Sequence, residues 1–389
     1  MRRPTVLALT LLCTVACRKR PEPVEAAPAA PQLDLREVAN CEGCHDAVVK
    51  EWRESMHARA HHDEDPIYGS MRALRMKKQG DQVAGKCAQC HTPLAPGDVD
   101  SPLGKIGVAC ATCHAAAHVD TSGGKKGAQA LELVFDGVAR GPYALTATAS
   151  PAHGVARVEH LANGEGICLA CHDVTRTPAG APACQTGEEY AERETAQSCA
   201  DCHMPEVEGA SGVGSKRTTH RRHVFGGPHR AWYQDDIWPL SEAVTMSGEL
   251  RGRTAKVSLR NQSGHGFPSA FPGRVAMLKV VGMNAKGEAV FTNFEEDPMK
   301  ESPVSVFNKV YVDAEGKPTL PPFADKLARD NRLRTDETRT LEYSLPRGVK
   351  KVVAKLIYRL GPPALFEKLG LEGAPESTPK VIETLELSR

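Results

Sequence analysis

The most constraining feature of this 389-residue chain is a five-residue pattern that occurs five times. Cys41-Glu42-Gly43-Cys44-His45 is followed by segments of the same form at Cys87 to His91, Cys110 to His114, Cys168 to His172 and Cys199 to His203. Each reads CxxCH. Two thiols at this spacing add across the two vinyl groups of one haem, and the adjacent histidine swings beneath the ring to bind its iron. One copy is a weak signal, because a redox or zinc-binding CxxC can be followed by histidine by chance. Five copies are specific, since zinc ribbons do not place histidine after every second cysteine. The expectation is five covalent c-type haems, each with one iron. They are held by Cys41, Cys44, Cys87, Cys90, Cys110, Cys113, Cys168, Cys171, Cys199 and Cys202, with His45, His91, His114, His172 and His203 as iron ligands.

The motifs use ten of the thirteen cysteines, leaving Cys13, Cys17 and Cys184. Cys13 lies in an apolar run from Val6 to Ala16, preceded by Arg2 and Arg3 and followed by Arg18-Lys19-Arg20, which is the layout of an export signal. The run is too short to cross a bilayer as a mature helix. Its end, Thr14-Val15-Ala16-Cys17, resembles the lipobox of bacterial lipoproteins, which makes Cys17 the candidate lipidation site. The other reading is a simple secretory signal with a soluble product. Residues 1–17 are thus expected to be a signal peptide and 18–36 a Pro- and Ala-rich semi-rigid linker. That places the mature chain in the periplasm or at the outer membrane, with a lipid anchor as its membrane contact. Cys184 has no thiol to pair with and reads as a small buried residue.

Length suggests two or three folded units. Lys and Arg total 49 against 48 Asp and Glu, so no global field favours nucleic acid, and no nucleic-acid partner is expected. Aromatic residues make up only 5% of the chain, which leaves room for porphyrins in its core. The local pattern around the motifs reads as short helices, such as Ala47 to His57 and Pro66 to Lys78, joined by Gly- and Pro-rich loops.

Each iron has a second axial position, and its occupant decides whether the haem passes electrons or binds substrate. Ten histidines lie outside the motifs: His57, His61, His62, His118, His153, His160, His220, His223, His229 and His265. That is more than five bis-His irons require, whereas Met204 follows His203 too closely to reach the opposite face of the same haem. Low-potential bis-His ligation is the expectation. His91 and His114 are 23 positions apart, a spacing that predicts close contact between the second and third haems.

The stretches Trp52-Arg-Glu-Ser-Met-His57, Gly107-Val-Ala-Cys110, Ser150-Pro-Ala-His153, Cys199-Ala-Asp-Cys-His203-Met-Pro205 and His223-Val-Phe-Gly-Gly-Pro-His229 carry a family likeness. Through them the chain resembles the multihaem cytochromes related to the cytochrome c-554 of ammonia oxidisers and, more distantly, hydroxylamine-oxidoreductase-like proteins. The resemblance implies His57, His118 and His153 as distal ligands, and His223 is favoured among His220, His223 and His229. His61, His62 and His160 read as surface residues.

Beyond Trp238 the pattern changes. Leu250 to Asn261, Arg274 to Met283, Arg339 to Leu345 and Lys350 to Leu360 alternate apolar and polar residues, with turns at Asn284 to Gly287 and Asp313 to Gly316. The expected fold is mixed: a mainly helical and irregular haem-cored domain over 37–235, then an all-β sandwich over 240–389. His265 is the sole histidine of this second unit, and flanking glycines let its backbone approach a flat ligand. It is therefore a further candidate iron ligand; the plainer reading is a turn residue. The expected function is electron transfer through five haems, with other redox proteins as donor and acceptor and no dedicated catalytic residue. The alternative is a multihaem reductase or oxidoreductase in which one open iron acts on a small nitrogen or sulfur compound.

Overall fold

A computed structural model describes residues 33–144, 150, 152–194 and 196–389. The expected signal peptide, Cys17 and most of the linker lie outside the described residues. The chain combines short helices with several β-sheets. Among the described residues, no helix is long and apolar enough to cross a membrane.

Up to residue 235 the regular elements are brief. Helices Asp46–Arg53, Pro66–Gln79 and Gln82–His91 come first. Pro66 at the first helical position and Asp65 as N-cap, accepting from the Tyr68 N–H at 3.0 Å, start the longest of them. Four of the five motifs end a helix: Gln82–His91, Cys110–His114, Gly166–His172 and Cys199–His203 each close on a motif histidine. One helical turn sets both thiols and the histidine on neighbouring faces. Small two-stranded sheets, such as Ala116–Val119 with Leu131–Leu133, fill the gaps.

From residue 244 onward, strands dominate. Strands Ala289–Thr292, Val275–Met283, Lys351–Arg359 and Lys380–Ser388 form one antiparallel sheet in that order, and Val306–Phe307 also pairs with Val275–Met283. Thr338–Ser344, Thr254–Asn261 and Val244–Arg251 form a second. In Thr254–Asn261 the alternation is strict, with Ala255, Val257, Leu259 and Asn261 buried. Both sheets send side chains into one apolar cluster, including Val257, Leu259, Leu278, Leu356 and Tyr358.

The predicted alternating run from Leu250 to Asn261 is split in the structure. A turn at Gly252, with φ of 53°, ends one strand at Arg251 and lets the next start at Thr254. Asn284–Gly287 and Asp313–Gly316 are turns as predicted, each closed by a glycine N–H to the opening residue's carbonyl and each with the glycine at positive φ.

The side-chain core is unevenly shared. The large cluster draws Ile67 and Met71 from the helix Pro66–Gln79, and its other fully buried members begin at Ala231. The only other cluster of the first 230 residues among those described is small: Leu35, Ala111 and Ala115.

Candidate haem-binding site

All ten motif cysteines and all five motif histidines line one cavity of about 2570 Å³. Ordinary small-molecule pockets are about 300–1,000 Å³. His57, His153, His220, His223, His229 and His265 line it as well. Ten Arg or Lys face it against four Asp or Glu, although the whole chain is nearly neutral. That local excess suits the propionate carboxylates a haem carries.

The histidine rings are paired across this cavity. Ring centroids stand 6.2 Å apart for His45 and His153, 6.2 Å for His57 and His172, 6.4 Å for His114 and His223, and 6.3 Å for His203 and His265. A ring whose Nε2 bonds a metal at about 2.0–2.1 Å has its centroid roughly 3.1–3.2 Å from that metal, so two trans imidazoles stand about 6.3 Å apart. The four separations fall on this value.

Ring orientation agrees. The Nδ1–H of His45 donates to Ser211 O at 2.6 Å, His114 to Arg140 O at 2.6 Å, His91 to Ala60 O at 3.0 Å, and His203 to Gly226 O. On the partner side, His153 donates to Gly154 O at 2.8 Å, His223 to Arg221 O at 2.7 Å and His265 to Gly266 O at 2.9 Å. A carbonyl can only accept, so Nδ1 carries the proton and Nε2 keeps its lone pair. Burial is the first cause that pushes the His57 ring down to about 3 and His91, His172, His223 and His265 to about 4; His114 and His203 are also lowered. These rings are neutral at pH 7 and available to a metal.

Local sequence explains several placements. Gly212 packs so closely that a Cβ there would lie 2.7 Å from the His45 ring, which only glycine permits. His57 follows a broken helix end, and its carbonyl accepts the Val108 N–H at 2.9 Å, while Trp52 Nε1–H donates to Val108 O at 2.9 Å. His265 sits on the loop after strand Thr254–Asn261. Buried Asn261 donates to His265 O at 2.6 Å and to Arg334 O at 2.8 Å, and Glu189 accepts from the Gly266 N–H at 3.1 Å and from Arg332 at 2.6 Å.

His118 requires a correction: it is not brought opposite any motif histidine. It lies on strand Ala116–Val119, where a register shift between Ala116 and His118 breaks the alternation, so that Ala116 is buried and His118 faces solvent, and it does not line the cavity. His220 is engaged elsewhere, with Nδ1 on Gly209 O at 2.9 Å and Nε2 3.2 Å from Glu51. His61, expected at the surface, is 1% exposed and donates to Val99 O at 3.2 Å. Among the described residues no histidine ring stands across from His91. The ring against it is Tyr68, stacked at 3.6 Å and 13°, too close for a metal between them.

Neighbours in space are not neighbours in sequence. Cys41 is within hydrogen-bond reach of Cys110, Cys90 of Cys171, and Cys168 of Cys199. Cys113 lies near Cys168 and Cys171. The contact expected from the 23-residue spacing of His91 and His114 is not among these cysteine approaches.

Residues 40–115 match the family of cytochrome c554 and c-prime. The structure is similar to the crystal structure of a penta-heme cytochrome c552 from Thermochromatium tepidum, with a TM-score of 0.76 and 26% sequence identity. The similarity covers 91% of this chain and 98% of that one. Among curated proteins, none matches.

Proposed function

Since this chain belongs to the multihaem c-type cytochromes, we propose that it is an exported electron-transfer protein that relays electrons through five covalently bound haems. The observation that carries this reading is the set of four histidine pairs at 6.2–6.4 Å. Haem supplies the one-electron iron chemistry. The residues would supply the rest: the thiols of each CxxC would attach the haem, and His45, His114, His172 and His203 would each hold an iron. We assign His153, His223, His57 and His265, in the same order, as the histidines that would share those irons. His91 would hold the fifth iron, and among the described residues no histidine ring is paired with it.

The contacts between motifs support a relay that runs from the first motif to the third and then to the fourth, with the second and fifth both bordering the fourth. His57 stands at this crossing, with His172, His203, His223 and His91 near its ring. The haem-carrying unit is assigned to residues 37–235 and the β-sandwich to 240–389, which contributes His265. Redox proteins are the partners, and the N-terminal signal with Cys17 would tether the chain at the periplasmic or outer-membrane side.

One observation favours a second reading for a single iron. Among the described residues no histidine ring is paired with His91, so the iron that His91 would hold is where a small nitrogen or sulfur compound would bind, as in a multihaem reductase. The leading reading is tested by a pyridine haemochrome assay with intact-mass measurement, followed by reductive titration. Five haems and five electrons per chain are expected. Four or fewer haems, or iron that accepts no electron from a low-potential donor, would overturn it.

A further inference from the structure

Away from the haem cavity, three metal-ligating side chains meet, and a fourth, Asp100, lies beside one of them. His61, His62 and Asp63 come from the segment ahead of helix Pro66–Gln79, and Asp100 from the loop before the short helix Pro102–Lys105. None lines the cavity that gathers the motif cysteines.

His61 Nδ1 lies 3.5 Å from an Asp63 oxygen, and His62 Nε2 lies 3.6 Å from the other Asp63 oxygen and 3.8 Å from Asp100. All three separations exceed the hydrogen-bond range of about 2.7–3.2 Å. They are close to the edge, about 3.4 Å, of a tetrahedron whose N and O donors each sit roughly 2.1 Å from a shared cation. As plain ion pairs they would contribute little, since the Asp63 and Asp100 side chains are 61% and 74% exposed.

His61 is prepared for this role. His61 Nε2–H donates to Val99 O at 3.2 Å, which fixes the tautomer and leaves the Nδ1 lone pair on the cluster side. Metal-binding histidines use the same carbonyl anchor. That lone pair accepts the Asp63 backbone N–H at 3.2 Å, a long contact that a cation would replace.

We propose that His61, His62, Asp63 and Asp100 bind one divalent transition-metal ion of the zinc class. The mixed imidazole and carboxylate set suits Zn²⁺, Ni²⁺ or Cu²⁺, whereas Ca²⁺ and Mg²⁺ take oxygen shells. The ion would clip the segment carrying His61 to the loop carrying Asp100. Ala60, the residue before the clip, accepts the His91 Nδ1–H, so the ion would steady the support of one haem ligand. The proposal stands apart from the electron-transfer reading and can fail without it.

The test uses the haem-loaded full chain carrying Cys184→Ser, which removes the one thiol outside the haem attachments that could compete for zinc in the folded region. After chelator treatment and desalting, zinc chloride is titrated by calorimetry and bound metal is counted by mass spectrometry. One zinc per chain beyond the haem irons is expected, with binding at least tenfold weaker in His62→Ala and in Asp100→Asn and unchanged in His118→Ala. Asp100 is exposed, so its variant keeps the test decisive if His62→Ala alters the haem spectrum. Absence of binding in the parent, or equal binding in parent and Asp100→Asn, would overturn the proposal.

Discussion

Side-chain direction decides which histidines matter. His57 and His118 carry the same chemistry, yet His57 faces His172 at 6.2 Å and His118 faces solvent. Replacing His57 with alanine should convert one haem from low-spin to high-spin, seen as loss of one haem's share of the low-spin signal. His118→Ala should leave the absorption and resonance spectra unchanged. The buried rings also set an acid limit. Burial holds His57 at a folded-state pKa of about 3 and His91, His172, His223 and His265 at about 4, against about 6.5 when unfolded. Below pH 6.5 the unfolded chain therefore takes up protons that the folded one refuses, so the stability these rings contribute is full above pH 6.5 and is lost as pH falls toward 4. Absorbance followed from pH 8 to 3 should show ligand loss and unfolding near or below pH 4. A transition centred near pH 6 would mean that the rings are not buried as described.

Loops, more than helices or strands, deliver the partner histidines. His153 precedes a short strand, His223 follows one, and His265 rides a loop pinned by Asn261. Asn261→Ala removes the donor to both His265 O and Arg334 O in a fully buried setting, which should cost about 2 kcal/mol. Chemical denaturation measures that loss, and the spectrum should show one iron turned high-spin. This dependence on loops also explains what could be read from residues alone. The CxxCH spacing is local chemistry, so the cysteines and histidines that together line the cavity were legible, and so were the turns at Gly287 and Gly316. The pairing of His203 with His265 joins positions 62 residues apart through a β-strand loop, and no local pattern encodes it. His118 was misplaced because proximity to a motif in sequence does not fix which face of a strand a residue occupies. The split of the Leu250 to Asn261 run was hidden because alternation continues across the Gly252 turn.

At the scale of the whole molecule, the apolar side chains after residue 231 form a large shared core, whereas the first 230 residues contribute few fully buried ones around a cavity of about 2570 Å³. Burial of apolar area drives folding, and here the porphyrins are expected to provide much of it for the first part of the chain. Protein made without haem attachment should lose residues 33–235 to a protease rapidly while 244–388 survives longer; equal resistance throughout would speak against a haem-built core. The most direct test of the account is spin-quantified electron paramagnetic resonance of the oxidised five-haem protein, with and without cyanide. The account predicts four low-spin bis-histidine irons unaffected by cyanide and a fifth, the His91 iron, with a distinct signal that cyanide alone changes. Five cyanide-insensitive bis-histidine signals, or cyanide binding at several irons, would contradict it.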